Sequence, residues 1–214
     1  MMRTLLLTGL FTISLIFLGC SGQTKKENPP LNIKDEEQIF NSVEEHQNKA
    51  TQTIFTKEAI DTTSNENLVE NIFESLYAIH VAPNPQEYET VLTWNKSRQA
   101  IYVVHMFKGE VNNGGYNQYY ANISGEFYKL LPEALKRIGA NKFAEQAQQA
   151  NNTYEKENKQ ITQHQDGTVK GFSESYKNSP LEKYTDAFFD LYETENLEQL
   201  MIDYIRKHKT DFID

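Results

Sequence analysis

The apolar residues of this chain recur three and four positions apart, and that period governs what it can build. From residue 65 onward, Leu68, Ile72, Phe73, Leu76, Tyr77 and Ile79 fall on one side of a 3.6-residue helix. Ser64 or Asn65 stands where an N-cap is needed, and Pro83 and Pro85 close the segment. A short helix is expected around residues 87–94. Ala100, Val103, Val104, Phe107 and Val111 then stripe a helix starting near Ser97, which Asn112-Asn113-Gly114-Gly115 breaks. Tyr116, Tyr119, Tyr120 and Ile123 resume the spacing. Phe127, Leu130, Leu131, Ala134, Leu135 and Ile138 carry it to Gly139, a C′ glycine, and Pro132 divides this stretch into two short helices. Phe143, Ala147, Ala150 and Tyr154 mark a further helix. Ser179-Pro180 opens one with Leu181, Tyr184, Phe188, Leu191 and Tyr192 inward, and Leu197, Leu200, Met201, Tyr204 and Ile205 line the last. Residues 158–179, polar and carrying Asp166-Gly167 and Gly171, read as an exposed loop. Only residues 100–104 could pass for a strand, and they sit inside a longer helical pattern. The expectation is an all-α fold, a single compact multi-helix domain.

The front of the chain follows other rules. Its one cysteine, Cys20, ends an uncharged apolar run from Leu5 to Gly19, with Arg3 before it and polar residues after it. That layout is a bacterial lipoprotein signal, cleaved before Cys20 with lipid on the sulfur. The alternative, an uncleaved anchor, needs about 20 apolar residues, and this run is shorter. Phe17 and Leu18 depart from the usual residues before such a cysteine. The expected organisation is a signal peptide at 1–19, a lipidated cysteine and flexible tether at 20–35, a helical extension at 36–65 and the all-α domain at 66–214. The tether carries Pro29-Pro30, and the extension carries Ile39, Phe40, Val43, Ala50, Ile54 and Phe55 at loose helical spacing. The location implied is the bacterial cell envelope, facing periplasm or surface.

With Cys20 taken by lipid, no disulfide can form within the chain, so twelve Phe and twelve Tyr must supply much of the core. Loss of Arg3 with the signal moves the formal charge from −9 to −10. Nucleic acid and anionic headgroups are poor partners for such a chain, because a phosphate backbone is held by clustered Lys and Arg. His46, His80, His105, His164 and His208 have no paired ligand spacing, which argues against a metal site. His105 and His208 read as helix-edge residues. Phosphate-binding, dinucleotide-binding and nucleophile-elbow motifs are absent, so no cofactor is expected.

The densest cluster of special residues is Glu110-Val-Asn-Asn-Gly-Gly-Tyr-Asn-Gln-Tyr-Tyr-Ala-Asn122. Gly114 and Gly115 suit a tight helix-to-helix turn, and Asn112 or Asn113 can cap the helix that follows. Glu110 lies in a last helical turn, where a carboxylate opposes the dipole unless it reaches across to N–H donors opening the next helix. That makes it a structural brace. The alternative is a small polar pocket in which Glu110, Asn113, Gln118 and Asn122 bind a ligand or act as acid and base.

This segment, with Ala134-Leu-Lys-Arg-Ile-Gly-Ala140 after it, resembles the signature of the DNA-mimic protein family. The signature positions are Glu110, Asn112, Asn113, Gly114, Gly115, Tyr116, Gln118, Tyr119 and Asn122. The resemblance covers about residues 66–213. It implies an acidic all-α domain that can form a homodimer and, in one branch of the family, covers the DNA-binding surface of a transcription factor. An envelope lipoprotein does not meet cytoplasmic DNA-binding proteins, so the fold carries over better than the mimicry.

Glu182, Asp186, Asp190 and Glu193 fall four, four and three apart on one helix, opposite Leu181, Tyr184, Phe188 and Leu191. At 1.5 Å per residue, carboxylates four apart are separated by about 6 Å, comparable to phosphates along a strand. A solvated amphipathic face explains the same pattern. The reading is a lipid-anchored protein binding an unknown, basic protein partner through this column, with membrane contact through lipid at Cys20. Two alternatives stand beside it: an immunity-type protein that neutralises a toxin, and an enzyme with a polar site around Glu110.

Overall fold

The computed structural model describes residues 55–164 and 168–213. Cys20, the signal, the tether and most of the 36–65 extension lie outside these residues. The described chain is α-helical with no strand, as the spacing requires. Its α-helices are α1 (Lys57–Thr62), α2 (Asn65–Leu76), α3 (Glu87–Thr93), α4 (Lys96–Ala121), α5 (Leu131–Arg137), α6 (Asn141–Thr162), α7 (Val169–Ser175), α8 (Glu182–Tyr192) and α9 (Leu197–Lys207). Among them no helix is long and apolar enough to cross a membrane.

Helix α4 is the axis of the domain. Asn95 caps it, its side chain accepting from the backbone N–H groups of Ser97 and Arg98. Ala100, Ile101, Tyr102, Val103 and Val104 are consecutive and all buried, so the helix is enclosed on every side rather than along a stripe. Helices α2, α5, α8, α9 and α6 surround it. The two ends of the described domain are fastened by arginines. Arg98 donates to the carbonyls of Asp211 and Ile213, at 2.8 and 2.9 Å. Arg206 of α9 reaches the carbonyls of Ile60 and Thr63 and the side chain of Asn65, at 2.7, 2.9 and 2.7 Å. Beside it Lys209 pairs with Asp61.

Several expectations are corrected. The α2 run does close at the Pro83 turn, but its last turn, Tyr77–Val81, is π-helical rather than α-helical, and Tyr77 stands 40% exposed. Ile123, expected inward, begins a 3-10 turn after α4 and stands 65% exposed. The 158–179 loop is largely helical. Helix α6 runs on to Thr162 and α7 follows, capped by Thr168, with Ile161, Gly171 and Ser175 buried. His105 is no helix-edge residue: its ring lies 4.2 Å from that of Phe73, and burial with the nearby Lys108 cation lowers its pKa to about 4. The Glu70 carboxylate, 3.4 Å away, favours the charged form but is outweighed. His208 does lie at a helix end, stacked on Tyr204 at 4.3 Å.

Candidate functional site

The signature segment is a tight bend between two helical halves of α4, as expected of a helix-to-helix turn. Gly114 (φ −155°, ψ 26°) and Gly115 (φ 69°, ψ −173°) depart from helical angles between those halves. The two glycines are needed for different reasons. Gly115 occupies the left-handed region, and a Cβ there would sit 2.6 Å from Thr185 Oγ1. At Gly114 a Cβ would fall 2.2 Å from Gln118 Oε1 and 2.8 Å from the Tyr176 hydroxyl.

Bending the helix folds its second half back over Phe107. The Tyr116 and Tyr119 rings meet Phe107 edge-on at 5.4 and 5.1 Å, and Phe188 of α8 closes the group at 5.5 Å. The backbone freed at the bend is taken up by neighbouring helices: Tyr176 donates to the Gly114 carbonyl at 2.7 Å, and the Tyr116 N–H donates to Thr185 Oγ1 at 3.1 Å. Neither Asn112 nor Asn113 caps anything here. Both are exposed, and Asn112 turns to the Tyr192 hydroxyl instead.

Glu110 is a brace, but its partners are side chains rather than the backbone N–H groups expected. Its Oε2 accepts from Gln118 Nε2 at 2.7 Å and from Asn122 Nδ2 at 2.8 Å, tying the two halves of α4 across the bend. Asn113, expected in the same polar cluster, stands outside these bonds. Tyr119 is fully buried beside the brace, and burial together with the Glu110 charge holds its hydroxyl above the usual tyrosine range. Tyr116 and Tyr120 are raised by burial as well. All three stay protonated; Tyr116 donates to Gln146 and Tyr120 to Asn151, while the buried Tyr119 hydroxyl packs without a hydrogen-bond partner among the described residues.

Sequence reasoning missed the residues that hold the kink from outside. Asn117 is buried, and its Oδ1 accepts from Ser179 Oγ at 2.6 Å. Tyr176, Ser179 and Thr185 lie some 60–70 residues from their partners, so no local pattern could flag them.

Glu182, Asp186, Asp190 and Glu193 are all exposed, on the side of α8 away from buried Tyr184 and Phe188. No ion pair among the described residues involves them. The column and the kink are neighbours: burial, then Glu182, then Glu110, push the Tyr176 hydroxyl up to about 12. No group of three or more His, Cys, Asp or Glu among the described residues is arranged to hold a metal ion.

The family model for DMP19-like protein matches residues 93–208, from the end of α3 to the end of α9. This is more than half of the chain, and the chain belongs to that family. No curated protein and no solved structure matches it.

Proposed function

We propose that the chain is an envelope protein, lipid-anchored at Cys20, whose domain holds a basic protein partner through Glu182, Asp186, Asp190 and Glu193. The observation that supports this reading best is the exposure of four carboxylates along one helix with no cation of the described domain against them. Unpaired surface charge contributes little to stability, so a face of this kind is suited to steering an oppositely charged surface. Its back is fixed: α8 is held to the kink through Thr185 and to the core through Phe188. The column is thereby presented on a rigid support, which lowers the entropic cost of binding. The family relationship favours a protein-binding role, and the layout around Cys20 favours the anchor.

Affinity capture from envelope extracts tests the reading. The double substitution Glu182→Lys with Asp186→Lys is expected to weaken capture of the partner, while Glu133→Lys with Glu145→Lys, equally exposed elsewhere, leaves it intact. Raising salt should slow association as the screening length falls below about 8 Å. Equal capture by both double variants overturns the column as the binding face. Cys20→Ser is expected to release the protein from membranes or leave it unprocessed; normal processing and membrane retention of that variant overturn the anchor.

A further inference from the structure

The π-helical turn opens a second site, independent of the acidic column. Between this turn, the start of α3 and the 3-10 turn after α4 lies a cavity of about 360 Å³, at the small end of the range for ligand pockets. Its walls are Tyr77, Tyr88 and Ile123, and it carries Glu87, Glu89 and Glu126. Two of these wall residues are the apolar side chains that the sequence pattern places inward and the fold turns outward, Tyr77 at 40% and Ile123 at 65% exposure.

The walls are held from behind. The Tyr77 ring stacks on Phe73 at 6.5 Å, and Tyr88 leans on Phe127 at 5.4 Å. Tyr102, buried in the axis helix, donates to Glu87 Oε1 at 2.8 Å, and its own ring meets Phe73 at 4.8 Å and Phe127 at 6.2 Å. One buried tyrosine thus sets both rings' supports and one carboxylate. No ion pair among the described residues involves Glu87, Glu89 or Glu126. Burial raises the Glu87 pKa, the Tyr102 hydrogen bond opposes it and the charge of Glu126 adds to it, and no cation of the described residues pairs with either carboxylate.

These features select an occupant. The three carboxylates are not arranged to enclose a metal ion, so the compensating cation is one with its charge spread over a larger body. Tyrosine faces attract such cations, guanidinium above all, and a flat fork of N–H donors can serve separated carboxylates at once. We propose that this cavity takes the guanidinium side chain of an arginine presented by a partner protein, with Glu87 and Glu126 accepting from it and Tyr77, Tyr88 and Ile123 against its plane and stem. Burying one such anchor in a preformed pocket is how a small contact comes to dominate an interface.

The test is a titration of the isotope-labelled full chain with N-acetyl-arginine methylamide and with its uncharged citrulline counterpart, followed by amide chemical shifts. The arginine probe is expected to move Tyr77, Ile123 and Glu126, and the citrulline probe to leave them in place. Glu87→Gln with Glu126→Gln should weaken the arginine probe at least about tenfold, or 1.4 kcal/mol. Glutamine at 87 retains an acceptor for Tyr102, and unchanged melting confirms the fold. Glu182→Lys with Asp186→Lys should leave the titration unchanged, which separates this site from the acidic column. Equal shifts with citrulline, tighter occupation by calcium than by the arginine probe, indifference to the double substitution, or no shift where a millimolar site fills, each overturns the proposal.

Discussion

Two helices of this domain are interrupted, and the interruptions have opposite outcomes. At Gly114–Gly115 the bend in α4 is packed shut: Thr185 and Tyr176 take its backbone groups, and Glu110 is gripped by two amides. At Tyr77–Val81 the widened turn is left open, with Tyr77 turned outward and Glu87 and Glu126 lining one cavity without a paired cation among the described residues. A local deformation costs free energy in either case. What surrounding polar groups do with it separates a folding device from a binding one: Glu110 is held by two amide donors, whereas Glu87 has the Tyr102 hydroxyl on one oxygen and Glu126 has no internal donor among the described residues.

The largest effect expected from that contrast is at Gly115. Gly115→Val should lower stability by about 2–4 kcal/mol, combining left-handed strain with a clash against Thr185. Gly139→Ala is the control. It too has positive φ (90°), but its Cβ meets nothing nearer than Leu200 at 3.8 Å, so only about 1 kcal/mol is at stake. Equal losses in urea unfolding would mean that backbone strain alone, and not the packed bend, accounts for the kink.

Acid should loosen the side of the open turn, because His105 stacks on Phe73, which backs Tyr77. Its folded pKa of about 4 lies below the ordinary 6.5. Between those values the unfolded chain binds more protons than the folded one, so stability is full above pH 6.5 and falls as the pH drops toward 4. The loss by pH 4.5 should be about 2.5 kcal/mol, and His105→Phe should remove that slope. A wild-type profile flat between pH 6.5 and 4.5 would show that the ring is not held neutral.

The brace comes next. Glu110→Ala should cost about 1–2 kcal/mol, since two amides lose a charged acceptor. The smallest effect is the most diagnostic: Glu126→Gln in the open cavity should change stability by no more than about 0.5 kcal/mol, or raise it slightly by relieving Glu87. Comparable losses for these two carboxylates would erase the distinction between the closed and open interruptions.

The same contrast explains what the sequence made legible. Helical period located α2, α3, α8 and α9 to within a residue or two, and Gly139 at the end of α5 follows from local chemistry alone. Period also marked the inner stripe of α4, but not that Ile101 and Tyr102 are equally buried, because enclosure on all sides depends on which helices pack around it. Tyr77 and Ile123 fit the apolar pattern and face outward: Tyr77 lies about two and a half turns beyond Leu68, on the far edge of the α2 stripe, and Ile123 follows Asn122, whose extended backbone ends the helical phase of α4. Glu110 was recognisable as a brace from its position in a helix end. Gln118 and Asn122 were grouped with it only in the polar-pocket alternative, not as the donors of the brace, because they meet it only once the bend has formed. The acidic column needed no tertiary information, being a single amphipathic helix whose polar face is its own surface.

The clamp made by Arg206 has a mechanical meaning. A pull on the chain preceding Phe55 enters the described domain at α1, where buried Phe55 and Ile60 and the carbonyls of Ile60 and Thr63 are the first points of attachment. Those carbonyls hang from one guanidinium on α9, near the other end of the chain, with Lys209 and Asp61 in parallel. Tension is thus handed across 146 residues of sequence in a single step, from Ile60 to a helix whose Met201 and Ile205 are embedded in the core. Load arriving at the front is grounded at the back, bypassing the glycine bend and the helix that carries the acidic face.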